Sequence, residues 1–101
     1  MQQEPMTLYK LIVLYMVNRV DFPLTRAQVD TFILDREYTT YLTLQQAMSE
    51  LLEINLLSAN TVRNRTMLSL TEEGKQTLTL LSNKLPDTIK HDIDEYLREN
   101  S

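Results

Sequence analysis

The chain has 101 residues, of which 43% are hydrophobic and 24% are charged, and its net charge is −4 at pH 7. This length predicts one small domain, and the lack of cysteine excludes disulfide bonds and thiolate metal sites. The negative charge excludes a broad basic surface, because the field of the whole molecule repels phosphate. The longest apolar run, Leu11 to Val17, is too short to cross a membrane, and no cationic leader precedes it, so we expect a cytoplasmic protein.

Two helices are predicted in the first part of the chain. Apolar residues recur at helical spacing over residues 6–19, which predicts the first helix. Pro23 then breaks the pattern, because it lacks a backbone donor and disfavours a helical residue before it. Thr25 and Gln28 have capping-box spacing, so we expect a second helix that ends near Glu37.

A third helix is predicted to begin at Thr43, which has capping-box spacing with Gln46. From Leu44 onward, apolar residues recur at i, i+3, i+4, i+7 and i+8, which predicts one buried face up to about Asn55. Residues 38–42 are rich in β-branched and aromatic side chains, so we expect them to form an extended turn.

A two-stranded hairpin is predicted after the third helix. Its strands are residues 57–60 and 66–70, because apolar and polar residues alternate in the second of them. The tip is the polar stretch from Thr61 to Arg65.

Two helices are predicted to complete the chain. Thr71 caps the fourth, because Glu72 and Glu73 then place negative charge in the first turn, where the helix macrodipole favours it. Pro86 restarts the chain, and apolar residues at helical spacing predict a fifth helix that continues almost to Ser101.

Groups suited to enzyme chemistry are sparse. His91 is the only histidine, and Gly74 is the only glycine, which excludes a glycine-rich phosphate loop. Asp92, Asp94 and Glu95 lack a loop with alternating oxygen ligands, so we interpret them as a charged helix face. We therefore expect no enzyme, no catalytic residue, no metal site and no cofactor.

The third helix and the hairpin contain residue types that contact DNA. Glutamine can bond adenine bidentately, serine and threonine can bond bases or phosphates, and free amides at a helix N-terminus can bind phosphate. Arginines at a hairpin tip can enter the minor groove or bind phosphate. The candidate DNA-binding residues are Thr40, Tyr41, Thr43, Gln45, Gln46, Ser49, Arg63 and Arg65.

Each candidate also has a purely structural explanation. Glutamines are good helix formers, tyrosines can cover a core, and arginines in a turn can serve solubility. Glu50 and Glu53 argue against DNA, because each would lie near phosphates without a compensating charge. Together and in this order, however, the candidates favour a nucleic-acid surface.

Several segments resemble a known class of proteins. They are residues 11–24 with the break Asp21-Phe22-Pro23-Leu24-Thr25, residues 38–52 with Thr43-Leu44-Gln45-Gln46, the element Leu70-Thr71-Glu72-Glu73-Gly74, and the closing Ile93-Asp94-Glu95-Tyr96-Leu97. On these residues the chain resembles PadR-like and MarR-like winged-helix transcriptional regulators of bacteria. It is most similar to a family of uncharacterised PadR-like winged-helix proteins.

The resemblance implies a mainly α fold with a small β-hairpin, an α+β winged helix-turn-helix in helix–strand–helix–helix–hairpin order. Residues 1–85 would form the DNA-binding domain, and residues 86–101 a C-terminal helix for dimerisation. The recognition helix would be Leu44 to Glu53, and the wing Asn60 to Arg65. The partner-facing residues of the homodimer would be Ile89, Ile93, Tyr96 and Leu97.

Two functions remain open at this point. The first is a transcriptional regulator that binds double-stranded DNA as a homodimer through the recognition helix and the wing. The alternative is a winged-helix module for protein–protein interaction or assembly that does not bind DNA directly. The acidic surface and the lack of lysine and arginine in the third helix motivate the alternative.

Overall fold

A computed structural model describes residues 4–100; residues 1–3 and 101, the outer ends of the two predicted domains, lie outside the described residues. Within residues 4–100, five helices and three strands form the mainly α, α+β architecture that was predicted. Their bounds are α1 Pro5–Asn18, β1 Leu24–Thr25, α2 Arg26–Asp35, α3 Tyr41–Glu53, β2 Leu57–Val62, β3 Arg65–Leu70, α4 Glu72–Leu81 and α5 Asp87–Glu99, with a short 3₁₀ helix Ser82–Lys84. No helix of this part is long and apolar enough to cross a membrane.

The three strands form one antiparallel sheet in the order β1-β3-β2. The hairpin register runs from Leu57 opposite Leu70 to Val62 opposite Arg65. The turn is therefore only two residues long, and the predicted five-residue tip is wrong because both strands extend further than the polar composition indicated. β2 is an edge strand, and all of its residues except Leu57 are exposed.

α1 lies at the centre of the hydrophobic core. Six of its residues are buried, which explains an apolar stripe that is wider than one helix face requires. The helix contacts α3, α4, α5 and β3. The core therefore forms around α1, and the other elements are positioned by packing against it.

α3 begins one turn earlier than the sequence predicted. Thr40 is its N-cap, and the Thr40 hydroxyl accepts the Thr43 amide at 3.5 Å. Thr43 is thus inside the first turn, and the prediction that it caps the helix is wrong because Thr40 offers the same hydroxyl three residues earlier. Tyr41 and Leu42 are helical rather than extended, and both are exposed.

The end of α3 is tied to the start of α4. Asn55 has a left-handed conformation with φ 66°, and the Leu56 amide donates to the Leu51 carbonyl at 3.0 Å, which ends the helix. The Thr71 hydroxyl donates to the Asn55 carbonyl at 2.7 Å and accepts the Gly74 amide at 3.0 Å. One threonine therefore caps α4 and fixes the turn that leads from α3 to β2.

Gly74 makes this junction possible. A Cβ atom at Gly74 would lie 2.0 Å from the Leu56 carbonyl oxygen, which also accepts the Thr71 amide at 3.2 Å. Only a residue without a side chain lets the first turn of α4 approach that backbone so closely. The glycine of the Leu-Thr-Glu-Glu-Gly element is thus required by packing.

α5 is held on the core by an apolar residue between two aspartates. Ile93 is 0% exposed, and its neighbours Asp92 and Asp94 reach in different directions. Asp94 accepts the Tyr15 hydroxyl at 3.0 Å and the Arg19 guanidinium at 2.9 Å, both from the α1 region. Asp94, which we interpreted as part of a charged helix face, is therefore also bonded within the chain.

Asp92 makes the matching contact to the segment between α2 and α3. It accepts the Tyr38 hydroxyl at 2.6 Å and the Arg36 guanidinium at 3.2 Å. Burial, followed by the hydrogen bond to Asp92 and the charge of that carboxylate, raises the pKa of Tyr38 to about 12. α5 thus holds in place the chain segment that enters α3.

We expect Gly74→Ala to destabilise the fold by about 2 kcal/mol, because the added methyl overlaps the Leu56 carbonyl oxygen. Helix propensity alone would favour alanine by about 1 kcal/mol, so the sign of the change separates the two effects. Urea unfolding measures the change in the free energy of unfolding, and Gln76→Ala is the control because Gln76 is exposed on the same helix. A variant as stable as the wild type would contradict the close approach.

We expect the free energy of unfolding to fall between about pH 10 and about pH 12 as the Tyr38 contribution is lost. The folded chain keeps the Tyr38 proton up to its raised pKa of about 12, whereas an unfolded tyrosine loses it near the ordinary value of 10.0. Urea unfolding at several pH values, with absorbance to follow phenolate formation, measures this. Tyr38→Phe should weaken the pH dependence and reduce the late phenolate signal, while a part from Tyr15 remains, because burial and the hydrogen bond to Asp94 raise the pKa of that tyrosine too. Tyr41→Phe, which removes an exposed hydroxyl, is the matched control.

Candidate nucleic-acid interface

One face of α3 is open to solvent along the whole helix. Leu42, Gln46, Ser49 and Glu53 recur at helical spacing, and all four are exposed. The opposite face packs into the core through Leu44, Ala47, Met48 and Leu51. The residues of α3 that can meet a ligand therefore include neutral polar side chains but no lysine or arginine.

Gln45 is bonded to α2. Its side-chain amide donates to Asp30 Oδ2 at 3.1 Å, and its carbonyl oxygen accepts from the Arg26 guanidinium. Burial raises the pKa of the Asp30 carboxyl, although the Gln45 hydrogen bond and the Arg26 charge act in the opposite direction. Both polar groups of Gln45 thus hold α2 against α3 in this structure, and the side chain is not free to contact a base.

Gln46 and Glu50 lie one turn apart on α3. The Gln46 amide donates to Glu50 Oε2 at 3.0 Å, and the Lys10 ammonium lies 2.6 Å from Glu50 Oε1. The hydrogen bond from Lys10, and then the one from Gln46, lowers the pKa of Glu50. Glu50 was expected to be uncompensated, and that expectation is wrong because Lys10, 40 residues away in sequence, supplies the opposite charge.

The N-terminal turn of α3 offers backbone donors. Thr40 and Tyr41 are exposed, and Thr43 is half-buried with its hydroxyl 3.1 Å from that of Thr40. The amides of Tyr41 and Leu42 have no acceptor within the helix, as in any first turn. This end of the helix therefore combines free amides with the positive end of the macrodipole.

Arg63 and Arg65 are exposed at the tip of the wing, the hairpin formed by β2 and β3. Arg63 and Asn64 have φ of 51° and 66°, the signature of a type I′ turn. Neither arginine forms an ion pair within residues 4–100. Their charges are therefore available to an anionic partner.

An open groove of about 720 Å³ separates the wing tip from the first turn of α2. Arg26 lines it on the side of α2, and Asn64 and Arg65 line it on the side of the wing. This groove was not predicted, because it depends on the pairing of β1 with β3. Across residues 4–100, no three metal-ligating side chains lie close enough to hold an ion.

The four residues predicted at the dimer interface lie against the chain's own core. Ile93 is fully buried within the chain, so it offers no surface to a second copy. Ile89, Tyr96 and Leu97 are half-buried against the same core, and the Tyr96 ring lies 4.9 Å from that of Phe32. The apolar spacing that indicated a partner-facing stripe is equally the spacing of a helix packed inside its own domain.

We expect Arg63→Asn to stabilise the fold by up to about 1 kcal/mol, because asparagine adopts the left-handed conformation at lower cost than arginine. Arg65→Asn is the matched control, since it removes the same charge from a strand position. Thermal and urea unfolding compare the two. Equal changes in both variants would show that the charge, rather than the backbone, decides the effect.

Comparison with solved structures supports the winged-helix fold. The chain is similar to the crystal structure of SSV1 F-93, with a TM-score of 0.63 and 18% sequence identity, over 96% of this chain and 98% of that one. A weaker similarity is to Sso10a-2, a DNA-binding protein from Sulfolobus solfataricus, with a TM-score of 0.47, 19% identity, and coverage of 90% and 81%. That second similarity is too low to support an inference.

A search of curated protein sequences finds no match. The family comparison does give a match, and it spans nearly the whole chain. Residues 9–101 match the family described as Domain of unknown function (DUF4364), and the chain therefore belongs to that family.

Proposed function

We propose that the chain is a DNA-binding transcriptional regulator, related to PadR-like proteins, that acts as a homodimer. The observation that supports this best is the combination, in a winged-helix fold, of a solvent-exposed face of α3 with a wing that has two unpaired arginines. α3 enters the major groove, and the wing contacts the neighbouring backbone or minor groove.

Base contacts in this proposal come from neutral side chains. Gln46 is exposed and has the functional groups for adenine, which its amide reaches by leaving Glu50, and Ser49 lies one turn further along the same face. Gln45 takes the different role of fixing the angle between α2 and α3, because its amide is bonded to Asp30 and its carbonyl oxygen to Arg26. The list of base-contacting residues is therefore shorter than the sequence suggested.

Phosphate contacts come from few groups. They are the first-turn amides of α3, the hydroxyls of Thr40 and Tyr41, and the guanidinium groups of Arg63 and Arg65. Glu50 does little to oppose them, because Lys10 compensates its charge. A single copy therefore neutralises few phosphates, and a homodimer that doubles the contacts gains the most.

The homodimer places two copies of α3 in successive major grooves, about 34 Å apart. Ile89, Tyr96 and Leu97 are the members of the predicted stripe that keep some exposed surface. They can contact a second copy at the rim of the interface, whereas Ile93 cannot.

A protein-interaction module that does not bind DNA is the second candidate. Its support is the net charge of −4 together with the bonding of Lys10, Arg26 and Arg36 to partners within the chain. In that case Arg63 and Arg65 serve solubility alone. Measurements of duplex binding separate the two candidates.

We expect the full chain to bind duplex DNA at low salt and to lose affinity steeply as salt rises. The double variant Arg63→Ala/Arg65→Ala removes two phosphate contacts from each copy and therefore four from the homodimer, so the slope of log affinity against log salt should become shallower by about 3.6. Fluorescence anisotropy with a genomic fragment pool, then with a selected duplex, measures both quantities.

Lys84→Ala is the matched control, because it removes an exposed cation outside α3 and the wing. It should leave the slope nearly unchanged. No binding to any duplex at low salt, with a folded protein, would favour the protein-interaction module. Binding with an unchanged slope in the double variant would place the phosphate contacts elsewhere.

A further inference from the structure

Leu42 is the most exposed large hydrophobic residue of α3. It is 79% exposed at the second position of the helix, on the same face as Gln46 and Ser49. The apolar residues that hold α3 in the core lie on its other side, so Leu42 contributes little to the packing of the fold. Its neighbour Tyr41 is 59% exposed.

The surroundings of Leu42 limit the size of an apolar partner. Further along its face, Gln46, Ser49 and Glu53 follow, which are all polar. A stable protein interface needs about 1,200 Å² or more with an apolar centre, and this face supplies one leucine at one end. A partner with a single small apolar group next to polar groups fits the face better.

The major groove of DNA has one group of this kind. Thymine presents a C5-methyl group there, while the other bases present only hydrogen-bond donors and acceptors on that edge. A leucine placed against those polar edges desolvates them without replacing their hydrogen bonds, which is unfavourable. A leucine placed against the thymine methyl removes apolar surface from water on both sides.

We propose that Leu42 is a specificity-determining residue that contacts a thymine methyl group in each half-site, a proposal that rests on the DNA-binding function above. Along the helix axis, Leu42 and Gln46 are about 6 Å apart, so the two side chains can contact neighbouring base pairs. The preferred half-site therefore contains a thymine near an adenine that Gln46 can contact. Leucine sets the preference for thymine through shape and apolarity, without any charge.

The test uses the full chain and a duplex obtained by selection from random DNA. Each thymine is replaced in turn by uracil, which keeps the base pair and removes only the methyl group. We expect one position per half-site at which this replacement weakens wild-type binding by about fourfold, the effect of one methyl-sized apolar contact. Leu42→Ala removes this contact from both half-sites of the homodimer, so it should bind the thymine duplex about sixteenfold more weakly and should not distinguish uracil from thymine at that position.

Leu80→Ala is the matched control, because Leu80 is 78% exposed but belongs to α4. This variant should keep the wild-type preference for thymine. Leu42→Ala should fold normally, since the side chain it shortens is exposed, and thermal unfolding checks this.

Two results would overturn the assignment while DNA binding itself stands. One is a wild type that binds the selected duplex but responds to uracil at no position. The other is a Leu42→Ala variant that still distinguishes uracil at the same position as the wild type. If no duplex is bound by the wild type at low salt, the DNA-binding function fails, and the assignment fails with it.

Discussion

The junction between α3 and α4 positions both parts of the candidate interface. The Thr71 hydroxyl is bonded to the Asn55 carbonyl and to the Gly74 amide, so the end of α3, the start of β2 and the start of α4 form one unit. β2 then pairs with β3 along the whole wing. The direction in which the wing leaves the body is therefore fixed relative to α3 by one short side chain and backbone hydrogen bonds rather than by long side chains. A site that uses two separate elements needs this kind of rigid connection.

A second connection runs from the opposite end of the chain to the start of α3. Ile93 enters the core, and the aspartates beside it bond Tyr15 and Arg19 on one side and Tyr38 and Arg36 on the other. The acidic C-terminal segment thus neutralises two arginines near the body of the domain. Lys10 is likewise bonded to Glu50. The cations that remain unpaired on the proposed interface are consequently concentrated on the wing. Electrostatic attraction to DNA phosphates is therefore confined to that part of the surface.

Local sequence patterns predicted the secondary structure well. Contacts between residues that are distant in sequence could not be predicted from such patterns. Thr25 and Gln28 form the predicted capping box, because both partners lie within one turn. The spacing of Thr43 and Gln46 also fits a capping box, but Thr40 offers the same hydroxyl three residues earlier and is the N-cap of α3 in the structure. The roles of Gln45, Glu50 and Ile93 depend on Asp30, Lys10 and the core around α1, none of which their own neighbourhoods indicate. The fold was therefore more predictable than the site.

β2 has a consequence for the behaviour of the protein in solution. Within residues 4–100 no strand pairs with its outer edge, and its sequence Leu57–Val62 contains neither a charged residue nor a proline. Natural sheets usually protect such edges with these residues, because unpaired backbone groups recruit strands from other molecules. Here the net charge of −4 provides the repulsion that the strand itself lacks. The acidity that weakens attraction to DNA thus also opposes aggregation through the edge of β2, and a chain made more basic to bind DNA tightly would lose that protection.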